Sequence, residues 1–135
     1  MTRIQGDLRD RTFQLAGSIL VIVDSLPNNN KGWEIGRQLI RCGGSVGANV
    51  READNALTDA DFAHKCSIAR KEASETHYWL QLCETAGLLN GAELQGLIQE
   101  TDEVVRILST IVQRTQEYLN RNKTSDRPTS VTGIK

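Results

Sequence analysis

Two histidines, three cysteines and one glycine cluster are the first residues of this 135-residue sequence to weigh as metal ligands, nucleophiles or a phosphate cradle. A metal site needs ligands that converge on one face or across facing helices. His64 and His77 stand 13 residues apart, and steps of about 100° per residue carry them well off a common helical face. Di-iron helical bundles take a Glu-x-x-His pair from each of two helices, and the sequence contains no Glu-x-x-His. His64-Lys65-Cys66 is half of a ligand set with no second half. Cys42, Cys66 and Cys83 are an odd number without Cys-x-x-Cys spacing, which reads as buried free thiols. The run Gly43-Gly44-Ser45-Val46-Gly47 has no Gly-Lys-[Ser/Thr] after it and no strand before it, so it is not a phosphate loop. No metal, no cofactor and no catalytic set are expected, and the chain reads as a non-enzymatic binding protein.

Polar residues at helical spacing carry the remaining chemistry. Gln38, Arg41, Ser45, Asn49 and Glu52 recur at steps of 3, 4, 4 and 3 and form one stripe. Glu75 belongs to a mostly apolar stripe with Ile68, Trp79 and Leu82. A carboxylate in such a setting needs a cation or several donors, and Arg41 and Asn49 are positioned to supply them. Gln38, Ser45, Glu52 and Glu75 are therefore expected to form a structural polar network that fixes helix register, or else a functional polar pocket. Arg37, Arg41, Arg51, Arg70 and Lys71, with Asn49 as a polar reader, are the candidate contacts to RNA. The competing reading of the arginines is a helix surface paired with Glu34, Glu52 and Glu75.

These residues sit on four helical segments. The first starts near Asp7, carries Leu8, Leu15, Ile19, Ile22, Val23 and Leu26 on one face, and stops at Pro27. A polar loop over Asn28-Asn29-Asn30-Lys31-Gly32 leads to the second, about Trp33 to Asn55, whose apolar face is Ile35, Leu39, Cys42, Val46, Val50 and Ala53. Each glycine inside it costs about 1 kcal/mol relative to alanine. Gly43 and Gly47, one turn apart, therefore point to close approach by another helix backbone, with a ligand cleft as the alternative. Thr58 caps the third segment, with Leu57 and Phe62 as a hydrophobic staple. Phe62, Ala69, Ala73, Thr76, Leu80 and Cys83 are its buried stripe, and Gly87 is its stop. Asn90 caps the fourth, with Leu89 stapled to Leu94. Its seam is Leu97, Thr101, Val104, Leu108, Ile111, Thr115 and Tyr118. The acidic run Glu100, Asp102, Glu103 reads as a solvated face. Short loops force neighbours to run antiparallel, so residues 1–120 are expected to form an all-α, up-down-up-down four-helix bundle and residues 121–135 a disordered tail.

The whole chain narrows the choice of partner. Sixteen basic against 17 acidic residues leave no global basic excess, so any nucleic-acid surface must be local. The first 20 residues are too charged for a signal peptide, and no apolar run approaches the roughly 20 residues that span a bilayer. A cytoplasmic protein with no membrane partner is expected.

Several of these residues also carry a resemblance. Gln38-Leu39-Ile40-Arg41, with Ser45-Val46-x-Ala48-Asn49-Val50-x-Glu52, resembles a family signature of the form Q-[IL]-x-R-x-x-x-S-[IV]-x-A-N-[IV]-x-E. Phe62, Ile68-Ala69-Arg70, Ser74-Glu75-Thr76-x-Tyr78-Trp79-Leu80 and Gly87-Leu88-Leu89 are similar to its third-helix pattern. The family is that of four-helix-bundle proteins encoded in intervening sequences of bacterial 23S ribosomal RNA, and the resemblance covers about residues 7–120. It implies an up-down bundle assembled as a homopentamer and associated with RNA. It is distantly similar to accessory proteins of diversity-generating retroelements. Gly47 stands where the family often has proline. A homo-oligomer that associates with RNA or a ribonucleoprotein is the leading expectation. The alternative is a protein-binding scaffold or accessory subunit of a nucleic-acid-processing enzyme. The assembly surface is expected on the second and third helices, where Ile68, Trp79 and Leu82 widen the apolar face.

Overall fold

Capping chemistry decides where the helices begin in the computed structural model, which describes residue 4 and residues 6–125. The first helix, α1, spans Leu8–Ile22 and runs on through a 3₁₀ turn at Val23–Ser25 before Pro27 ends the ladder. The second, α2, spans Asn30–Asp54 and starts three residues before the expected Trp33. Asn29 is the reason: its side chain accepts from the Gly32 amide at 3.1 Å, so Asn30 to Gly32 become a first turn. The third, α3, spans Asp59–Thr85 and is capped by Thr58 as expected, with its hydroxyl on the Asp61 amide at 3.0 Å. Its end is a Schellman turn around Gly87, at φ 71°, where the Leu88 amide reaches the Cys83 carbonyl at 2.8 Å. The fourth, α4, spans Ala92–Ser125.

Several expected details move. Leu57 is 96% exposed and makes no staple, while Ala56 packs on the cluster around Phe62 instead. Asn90 lies one residue too early to cap α4. Gly91, at φ 98°, holds that place, and its carbonyl accepts from the Gln95 amide at 3.1 Å. The helix then continues five residues past Asn120, with the good helix formers Arg121 and Lys123 facing solvent. The rest of the expected tail, 126–135, lies outside the described residues. There is no strand among the described residues.

Residue pairs across the helices give the topology. Leu26 meets Gly36 and Ile19 meets Gly43 between α1 and α2. Arg41 meets Glu72 while Glu52 meets Lys65 between α2 and α3. His77 meets Thr101 while Glu84 meets Gln95 between α3 and α4. In each pair one number rises as the other falls, so neighbours are antiparallel. Arg11 on Glu100 then brings α1 beside α4 and closes the up-down-up-down bundle.

The core has three levels. One end is filled by Leu15, Ile19, Leu39, Leu80, Leu94 and Leu97 among others, and the far end by Ala53, Phe62, Cys66 and Val112. Between them Val46, Val50, Val104 and Leu108 face Ala69 and Ala73, a waist of smaller side chains. Val112 is buried on the α4 seam where Ile111 was expected, and Ile111 is only partly covered. The glycines of α2 serve the packing of α1. A Cβ at Gly47 would stand 3.2 Å from the Thr12 carbonyl oxygen, and one at Gly43 would stand 2.5 Å from Cδ1 of Ile19. A Cβ at Gly32 would sit 1.8 Å from the Pro27 carbonyl oxygen. Close approach by α1 thus explains Gly47, against the Thr12 backbone, and Gly43, against the Ile19 side chain, whereas a Cβ at Gly44 would meet nothing within 4 Å.

Candidate functional site: the polar seam of α2 and α3

The polar stripe of α2 lies along α3, and Arg41 is its centre. Its Nη1 donates to Oε2 of Glu72 at 3.3 Å and its Nη2 to Oε2 of Glu75. The same guanidinium donates to Oε1 of Gln38, from Nε at 3.4 Å and from Nη2 at 3.2 Å. Gln38 in turn donates to Glu34 at 3.1 Å, and Glu34 pairs with Arg37 at 3.5 Å. Beyond Glu75 the chain of bonds continues: the indole Nε1 of Trp79 donates to Oε2 of Glu75 at 3.1 Å. Tyr78 then meets Trp79 edge to face, with ring centroids 5.3 Å apart.

The expected network of Gln38, Ser45, Glu52 and Glu75 therefore holds at Gln38 and Glu75 and breaks elsewhere. Ser45 is one turn beyond Arg41 and serves Asn49, whose Nδ2 donates to the Ser45 carbonyl at 2.8 Å and to its Oγ at 3.2 Å. Glu52 lies about two further turns along and pairs instead with Lys65 at 3.0 Å. Glu72, which the sequence reading passed over, is the most buried carboxylate of the seam. Its signal was available: it falls three residues after Ala69 and four before Thr76, inside the apolar stripe.

The six candidate RNA contacts separate in space. Asn49 is only 8% exposed with its amide engaged inside its own helix, so it is not placed to read a base. Arg51 faces α1, its guanidinium carbon 5.0 Å from the centre of the Phe13 ring. Arg37 and Arg41 belong to the seam. Arg70 and Lys71 line a shallow groove of about 540 Å³ with Ser74, Glu75, Tyr78 and Ser109. The groove and the seam share Glu75, which brings Arg41 towards Arg70 and Lys71, whereas Arg37 pairs with Glu34 of its own helix and Arg51 faces α1.

The three cysteines are buried and His77 is engaged across helices. Burial pushes the Cys42 thiol up, against a weaker opposing hydrogen bond with Thr76, and burial alone pushes Cys83 up. Both stay protonated and unreactive at neutral pH, and Cys66 is also buried and free of disulfide. Nδ1 of His77 is bound to the Ile98 carbonyl at 3.1 Å and to Oγ1 of Thr101 at 2.9 Å. A carbonyl only accepts, which assigns the proton to Nδ1. Among the described residues no three His, Cys, Asp or Glu side chains gather as a metal would require. No described helix is long and apolar enough to cross a membrane.

Two contacts were missed entirely. Arg11 forks onto Glu100, from Nε to Oε2 at 3.0 Å and from Nη2 to Oε1 at 2.7 Å, and reaches Glu103 at 3.6 Å. These bonds raise the Arg11 pKa and give the acidic run of α4 a structural partner. The uncovered apolar surface is also displaced. Phe13, Leu20 and Val21 of α1 and Trp33 and Ile40 of α2 are exposed, whereas Ile68, Trp79 and Leu82 are half-buried. Phe13, Ala16, Gly44 and Ala48 line a shallow groove of about 330 Å³ on that α1–α2 face.

Comparison with known proteins agrees with this architecture. The family model described as 23S rRNA-intervening sequence protein matches residues 7–110. Among solved structures, one from Bacteroides thetaiotaomicron VPI-5482 is described as a protein with unknown function from the S23 ribosomal protein family. The chain is similar to it at 33% identity, with 78% of this chain and 97% of that chain covered and a TM-score of 0.72. No curated protein matches.

Proposed function

We propose, from the premise that this chain belongs to the 23S rRNA-intervening sequence protein family, that it is a non-enzymatic homo-oligomeric binding protein whose partner is RNA or a ribonucleoprotein. The observation that carries the assembly is the uncovered face of α1 and α2. Phe13 and Leu20 are seven residues apart, as are Trp33 and Ile40, so each helix presents an exposed apolar stripe beside the other. Contiguous apolar surface beyond a few hundred Å² marks an interface, and a second copy of the chain is the occupant we infer. A ring of five is what the resemblance implies. Three free thiols fit a reducing, cytoplasmic setting.

The RNA partner is supported by the family's description and by the cations gathered beside the seam. Repetition around an oligomer multiplies a weak local contact when several sites engage together. A second reading, a scaffold for another protein, is favoured by one observation: Arg37 and Arg41 already hold carboxylates of their own chain. Light scattering after size exclusion should return several times the 15.0 kDa chain mass, and Leu20→Glu with Ile40→Glu should return the monomer. A wild-type monomer at micromolar concentration refutes the assembly. Affinity for RNA that falls steeply with salt supports the nucleic-acid partner, whereas no RNA binding at low salt removes it.

A further inference from the structure

The geometry points to a single-stranded RNA contact in the groove between α3 and α4, in which Tyr78 stacks an unpaired base and Arg70 and Lys71 hold the adjoining phosphates. It rests on the RNA reading above and adds the site and the form of nucleic acid. Three observations converge on it. Arg70 and Lys71 make no ion pair among the described residues, unlike Arg41, which holds Glu72 and Glu75, so their charge is available to an anion. Tyr78 is a large aromatic side chain left 57% exposed at the rim of the same groove. Ser74 and Ser109 add hydroxyl groups that donate to phosphate or sugar oxygens.

The polar seam explains how such a ring is held. Arg41 fixes Glu75, Glu75 accepts from the indole of Trp79, and Trp79 meets Tyr78 at an interplanar angle of 76°. At that angle the two rings do not stack on each other. Tyr78 is thus braced by its neighbour, and a braced aromatic pays less ordering cost on binding. Arg41, Glu75 and Trp79 act through Tyr78, as positioning residues.

The chemistry selects the strand form. A stacking platform accepts any unpaired base, because every base has a π-face, whereas a duplex keeps its base faces covered. Cations without a fixed carboxylate partner suit a phosphate backbone.

The test uses the full chain and a fluorescent oligouridine, read by anisotropy at low salt beside an RNA duplex of equal length. Wild type should prefer the single strand. Tyr78→Ala should weaken it by about 5- to 150-fold, the measured range for loss of one stacked base, while Tyr78→Phe keeps the ring and the affinity. Arg70→Gln with Lys71→Gln should lower the slope of log affinity against log salt by about 1.4, two phosphates at about 0.7 each. Trp79→Phe should weaken binding less than Tyr78→Ala. Tyr78 is exposed, so its variants keep the helical circular dichroism that certifies the fold. Single-strand binding unaffected by Tyr78→Ala, or a duplex bound equally well, overturns this site and leaves the RNA reading standing. Polyglutamate competing as effectively as RNA also overturns it. Binding of neither RNA form by wild type overturns the RNA reading itself.

Discussion

Replacing the glycines of α2 one at a time by alanine should give effects of opposite sign, set by what each new Cβ meets. An alanine inside a helix is about 0.5–1 kcal/mol more favourable than a glycine. At Gly44 nothing lies within 4 Å, so that gain is realised. Gly96 on α4 is equally open and lies off the α1–α2 face, which makes it the reference. At Gly47 the Cβ would stand 3.2 Å from the Thr12 carbonyl oxygen, 3.3 Å from its carbon and 3.3 Å from Oγ1. Two of these atoms are backbone, so relief requires α1 to shift. Overpacking of this kind costs about 1–3 kcal/mol, which after subtracting the alanine gain leaves about 0–2.5 kcal/mol of net destabilisation. At Gly32 the Cβ would lie 1.8 Å from the Pro27 carbonyl oxygen, no rotamer relieves it, and the loss should be the largest of the series. Urea melts followed by circular dichroism measure all four. Gly47→Ala stabilising the chain as much as Gly96→Ala would refute the packing of α1 on the α2 backbone. Gly44→Ala that stabilises the fold but reduces the oligomer mass would place that groove inside the assembly surface.

Other outcomes follow from the buried groups. Leu108 is fully buried on the α4 seam, and Leu108→Ala should cost about 2–5 kcal/mol through the cavity it leaves; a loss under about 0.5 kcal/mol in urea would displace the seam. Glu75→Gln weakens bonds to both Arg41 and Trp79, whereas Glu117 only accepts from Gln113 at 3.4 Å on an exposed face. Glu75→Gln should therefore be the more destabilising by about 1 kcal/mol, and equal melts would deny the seam a stabilising role. With the Cys42 and Cys83 pKa values raised in the fold, their stabilising share is intact below the ordinary thiol value of about 8.5 and is lost as pH rises above it. At pH 8 the native chain should react slowly with a thiol reagent and release three equivalents only in denaturant, and rapid native reaction would contradict the burial.

What the sequence disclosed was what a single helix can display. The cap at Thr58, the stop at Gly87, the two faces of α2 and the seam of α4, apart from Val112 in place of Ile111, all rest on spacing within one segment, and the structure keeps them. Three consecutive asparagines at 28–30 offered no means of choosing the cap, so the start of α2 was placed one turn late. Leu57 satisfies the staple rule by position, yet the loop turns it outward and Ala56 takes the contact. At the candidate site, Arg41 and Glu75 were legible as a pair because a carboxylate in an apolar stripe demands a cation. Glu72 carried the same signal, a carboxylate inside an apolar stripe, and only its sharing of Arg41 with Glu75 is a three-dimensional fact. Arg11 and Glu100 are 89 positions apart, and nothing in either helix signals the other. Phe13, Leu20 and Val21 fall off the stripe of Leu8, Leu15, Ile19 and Ile22, but the exposed α1–α2 face emerges only where Trp33 and Ile40 of the neighbouring helix are added to them.

That distant fork has a kinetic meaning. Contacts between successive helices of this bundle close short loops, whereas α1 meets α4 only after most of the chain has been gathered. Loop-closure entropy grows with the length enclosed, so the α1–α4 edge is the last to be zipped and the first to open. A side-chain contact made after the folding barrier leaves the folding rate nearly unchanged and sets the unfolding rate. The Arg11–Glu100 fork thus acts as a latch on the lifetime of the folded chain, and Arg11→Ala should hasten unfolding while refolding proceeds at its usual pace.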